Sequence, residues 1–148
     1  MQWTALDKYW ISLIWLTVYL KNTLMLKKLS FILLVFLYIG AGINHFWHPA
    51  GYYSIIPPYL PNAYLINIVA GISELVLGTM LMFRRTRRFA AFGIIAMLIA
   101  FIPAHIYMIQ KGGCMGPKPA LCISLWLAWV RLFPLQFILM WWAWSNRK

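Results

Sequence analysis

Glu74 stands in the middle of AGISELVLG, residues 70–78, inside a long apolar run. The chain carries thirteen Lys and Arg but only two acidic residues, the other being Asp7. A carboxylate kept in such a run has two chemical uses. It can pair with a buried cation, or it can hold a ligand or a proton where little water reaches. The matching cation is Arg131, in LAWVRLFPLQF. Three histidines complete the set. His45 lies in GINHFWHP with Asn44 beside it and His48 three residues on, and His105 lies in IPAHIYM. Imidazole ligates Zn, Cu and Fe. No HExxH and no paired Cys/His spacing accompanies these histidines, so neither metal nor haem is expected. They read instead as hydrogen-bonding groups that line a bundle or cap helix ends. Cys114 and Cys122 flank MGPKPAL. A structural disulfide, two free thiols and a redox dithiol are all open for them, although the spacing is not CxxC. No residue is assigned a catalytic role.

These groups need elements to position them, and composition says in what solvent. The chain is 64% hydrophobic and 10% charged, where soluble domains run near a quarter charged. Such a surplus of apolar side chains would lie exposed to water in aggregating patches. Lipid is the simpler solvent, and an aromatic content of 18% suits its interfaces. The net charge of +11 does not point to nucleic acid, because the charges fall in short clusters between apolar runs.

Four runs reach the roughly 20 residues that a crossing needs: residues 29–47, 62–83, 89–109 and 121–144. Backbone groups in hydrocarbon must be satisfied within their own segment, so the runs are helices. The expected fold is an all-α, polytopic four-helix membrane bundle. Lys27 and Lys28, RRTRR at 84–88, and Arg147 with Lys148 fall on one side. Lys111 and Lys118 fall on the other. That asymmetry places both termini in the cytoplasm, and a bacterial inner membrane is the expected location. Residues 1–24 stand apart from residues 25–148. Their YWISLIWLTVYL is too short for a span and lacks the marks of a secretory signal. It is either a short interfacial helix or upstream of a true start at Met25, which opens MLKKLSFILL.

The spans place the polar residues. Glu74 lies about 18 Å into the second and Arg131 about 15 Å into the fourth, at 1.5 Å per residue. Both depths are near the midplane. A Glu74–Arg131 contact is therefore expected, direct or through a water or polar side chain. Asn67, Gly71, Glu74 and Gly78 follow steps of four, three and four and share one helix face, whose glycines let a neighbour approach. Gln136 falls in the same neighbourhood. Pro134 cannot donate to the Val130 carbonyl, which frees it for another polar group. Pro49, Pro57, Pro58 and Pro61 keep the first outer loop from being one helix. Tyr52, Tyr53, Tyr59 and Tyr64 are expected to anchor it at the interface, with Ile55 and Ile56 dipping into lipid or covering the bundle's mouth.

GINHFWHP, IIPPYLP, AGISELVLGTMLMFRRTRRFAAFGI, IPAHIYM and VRLFPLQFILMWWAW, in that order, resemble the DoxX family of small four-helix membrane proteins, within the DoxX/MauE redox-associated group. The resemblance covers most of residues 29–144 and none of the first 24. It implies four helices, with Glu74 and Arg131 at recurring polar positions, and carries no catalytic motif. Such relatives are linked to thiol or quinone redox assemblies, to terminal oxidases and to chaperone-like roles. The leading expectation is a non-enzymatic partner or assembly factor of a membrane complex. A quinone- or thiol-linked redox subunit with a buried Glu/Arg/His site comes second, and a small-molecule or proton carrier third. Quinone is the one cofactor in view. The expected partners are the bilayer and either another membrane protein or a second copy of the chain.

Overall fold

A computed structural model describes residues 5–116 and 122–148, with side chains from residue 15. Among the described residues six helices follow in order: α1 (Ala5–Trp47), α2 (Pro49–Ile55), α3 (Ala63–Met82), α4 (Arg87–Gln110), α5 (Leu125–Leu132) and α6 (Leu135–Ser145). Four stretches of the described residues are long and apolar enough to cross a membrane: Trp15–Trp47, Ala63–Met82, Arg87–Gln110 and Leu125–Ser145. The chain is an integral membrane protein. Its surface agrees, since Phe36, Val69, Phe89 and Trp141 are exposed where water would penalise them.

The chain divides into two compact units, residues 1–33 and 34–148. In the first, Trp15, Tyr19, Leu20 and Leu24 are exposed. The extension is not a separate short helix. KNTLMLKK, residues 21–28, holds neither Gly nor Pro, so nothing ends the helix and α1 runs unbroken from Ala5.

In the second unit α4 is the central element, packed on α2, α3, α5 and α6. Ala90, Ala91, Ile94 and Leu98 form its buried face. Residues 34–47 of α1 lie against α3, where Gly42 and Gly78 remove the side chains that would hold the helices apart. A Cβ on Gly78 would meet Tyr38 Cβ at 3.2 Å. The fourth span is interrupted at Phe133 and Pro134, where the proline has no N–H for the Val130 carbonyl, and divides into α5 and α6. It begins at Leu125, later than the expected residue 121, which lies with Lys118 outside the described residues.

The late start has a local cause. Cys114 and Cys122 are joined by a disulfide and pair as an isolated antiparallel bridge. Ile123 N donates to Gly113 O at 3.0 Å, which keeps this part of the chain extended. Gly112 and Gly113 take φ of 70° and 85°, values that only glycine adopts easily. Lys111 Nζ ties the turn to the Ser54 carbonyl at 2.9 Å. For so short a loop, a Cys114→Ala/Cys122→Ala double variant should lose about 2 to 3 kcal/mol. Thermal unfolding in mild detergent, with and without reductant, measures this. Equal stability of the two proteins under non-reducing conditions would contradict it.

Candidate functional site

Asn62, at φ 42°, caps α3 by accepting from Leu65 N at 3.2 Å. That fixes where the helix starts and so which face it turns inward. Asn67, Gly71, Glu74 and Gly78 are all buried on that face, as their spacing requires. Gly71 brings α1 close enough for side chains of α1 and α3 to bond. A Cβ there would stand 2.8 Å from His45 Cβ.

The His45 ring is held from three sides. Its Nδ1 lies 2.8 Å from Asn67 Oδ1, while Asn67 Nδ2 donates to the His45 carbonyl at 3.0 Å. A carbonyl only accepts, so the Asn67 amide group must face it and the amide oxygen must face the ring. Nδ1 therefore carries a hydrogen. Nε2 is then a bare acceptor unless the ring is an imidazolium, and it faces Glu74 Oε2 at 3.5 Å. A lone pair against a carboxylate would repel. The pair is favourable with one proton between them, on either the ring or the carboxyl. Tyr52 stacks on the ring at 3.7 Å between centroids. Its hydroxyl accepts from Asn44 Nδ2 at 2.7 Å, and Asn44 Oδ1 lies 3.0 Å from His48 Nδ1. Asn44 and His48 thus position Tyr52 from an exposed rim. Burial pushes the Tyr52 phenol above its ordinary value, which the Asn44 bond partly offsets, so it stays a protonated donor at neutral pH.

The expected Glu74–Arg131 contact is not made directly. Glu74 faces His45, and Arg131 Nη1 donates to Met115 Sδ at 3.7 Å. Two causes act together. Gly71 admits His45 beside the carboxylate, and the late start of α5 puts Arg131 only about 9 Å into its span. Both residues nevertheless line one cavity of about 150 Å³, with His45, Asn67, Tyr52 and His105. Arg131 is within electrostatic reach of Glu74. His105 Nδ1 donates to the Phe101 carbonyl at 2.9 Å, which leaves Nε2 as an acceptor. Ile55, Ile56, Pro57 and Leu60 close the α2 end of the cavity, with Ile55 packed on Met108 and Ala128. Among the described residues no three His, Cys, Asp or Glu side chains cluster to hold a metal ion.

Gln136 belongs elsewhere. It is buried and donates to the Leu98 carbonyl, which docks α6 on α4 away from the cavity. Two tyrosines take places that the sequence did not announce. Tyr52 turns inward onto His45 instead of anchoring the loop, while Tyr53 pairs with Tyr64 at 6.3 Å. Tyr38 is 2% exposed and its hydroxyl has no hydrogen-bond partner among the described residues. Its seven-residue spacing from His45, two turns on one face, was the available signal.

A family model described as a domain of unknown function (DUF8561) matches residues 34–147, more than three quarters of the chain. The match opens where the second compact unit opens. No curated protein and no solved structure matches. The chain, with His45, Glu74, His105 and Arg131 all inside the matched region, belongs to the DUF8561 family.

Proposed function

We propose that this protein is a DoxX-like binding protein of the bacterial inner membrane, with both termini cytoplasmic, whose cavity takes the acceptor-bearing head of a small ligand. The observation that carries this reading is Arg131. Its guanidinium has five donors, lines a cavity, and meets only a weak thioether acceptor, with no carboxylate in contact among the described residues. Sharing one proton, His45 and Glu74 sum to zero charge, so Arg131 leaves the lining net positive. Oxygen acceptors complement that lining. A volume of about 150 Å³ suits one benzene-sized ring. A quinone head has that size and those acceptors, and the His45–Glu74 proton lies beside it.

The orientation rests on charge. Arg87 Nη1 donates to the Lys148 carbonyl at 3.1 Å, so the basic turn at 84–88 and the basic C-terminus share one end of the bundle. That end belongs in the cytoplasm. A partner or assembly role ranks second. It rests on the exposed apolar flank of residues 15–33, which lipid covers equally well.

Equilibrium dialysis of the detergent-solubilised protein against a fully methylated benzoquinone tests the reading. Saturable binding is expected, weakened by about tenfold or more in Arg131→Leu. Absence of saturable binding to folded wild-type protein would sink it.

A further inference from the structure

We infer that the ligand is a membrane amphiphile, an acceptor-bearing head on an apolar tail, which enters sideways from the bilayer between α3 and α4. The inference rests on the binding reading above and adds what the ligand must be and how it arrives.

A groove of about 550 Å³ runs between α3 and α4, apolar but for Asn62 and Ser73. It abuts the polar cavity, with Ile66, Ala70, Ala100 and Phe101 lining both. Its floor is shallow where the helices present alanine. Ala96 and Ala100 are exposed, and beside them Val69 shows 61% of its surface. All lie within membrane-spanning stretches, so the groove opens to lipid. The other approach is covered. Ile55, Ile56 and Pro57 sit over the cavity, and α2 is tied down by the Lys111–Ser54 bond and the Ile55–Met108 packing. A water-borne ligand would have to lift that cover. A lipid-borne one passes between alanines and leaves its tail in the groove. The cavity alone is ring-sized, so a tail has no room except along α3 and α4.

The probe is an alkyl-tailed benzoquinone with a photoreactive diazirine in the tail, added to the protein in lipid nanodiscs. The expected label falls near Val69, Ala96 and Met97. It is suppressed by excess tail-less head group, either the fully methylated benzoquinone or benzoate. Which of the two suppresses it separates a neutral carbonyl head from an anionic one. Ala96→Trp, which fills the groove and not the cavity, should reduce the suppressible label about tenfold. It should leave dialysis binding of the tail-less quinone within about twofold. Suppressible label confined to residues 49–61 would place entry at the covered end and overturn the inference. Groove label that neither competitor suppresses would mark ordinary annular lipid, and also overturn it. Loss of suppressible label while the tail-less quinone still binds would remove the tail but keep the head site. Failure of both would remove the binding reading itself.

Discussion

Glu74→Leu and His45→Phe should each destabilise the protein by about 1 to 3 kcal/mol, because each leaves a buried polar partner unsatisfied. The double variant should cost clearly less than their sum, since it removes both halves of one contact. The geometry behind this is specific. Asn67 fixes the hydrogen on His45 Nδ1, so Nε2 depends on Glu74 for a proton or for a counter-charge. Glu74→Gln should retain most of the stability, because an amide N–H can face the Nε2 lone pair. The cycle between Glu74→Leu and Arg131→Leu should show weaker coupling, as no direct contact joins those two. Unfolding in mixed micelles, followed by circular dichroism, gives all the free energies. Additivity of the His45 and Glu74 changes within about 0.5 kcal/mol would refute the pair.

The second large effect is steric. Gly71→Leu should cost about 3 kcal/mol or more, at the upper end of overpacking. Even its Cβ would stand 2.8 Å from His45 Cβ and 2.9 Å from the Phe46 ring. His45 Cβ is fixed to the backbone and cannot swing away, so α1 must move off α3. That movement also strains both Asn67–His45 bonds. Gly40→Leu is the matched control, because an added Cβ at Gly40 meets nothing within 4 Å. A change there should be neutral or stabilise by up to about 1 kcal/mol, because a glycine inside a helix is replaced. Thermal unfolding of the two variants in one detergent compares them. Equal midpoints would mean that close approach at Gly71 is not what joins the helices.

Both effects belong to residues whose role was half legible in the chain. The spacing of Asn67, Gly71, Glu74 and Gly78 announced a buried face, and that face is buried. Pro134 was legible only in part: its missing donor was read, but the span was expected to run through to residue 144, and Pro103 leaves α4 whole. The tyrosines were not. Tyr52 and Tyr53 are adjacent and chemically identical, yet one stacks on His45 and the other turns to Tyr64. Inside a seven-residue helix wedged between two spans, only the packing decides which of two neighbours points inward. Gln136 shows the same limit, because its burial was foreseen while its carbonyl partner on α4 was not.

By itself, then, the chain determined its spans, their helical form and the polar face of α3. Apolar length and backbone hydrogen bonding set the first two in any bilayer, and helical periodicity sets the third. Tertiary structure decided which partner Glu74 meets. Depth along a span is one coordinate, and a contact between side chains a few ångströms long needs all three. The close approach at Gly71 and the disulfide-held start of α5 supplied the other two, and they placed His45 against the carboxylate and turned Arg131 to the cavity.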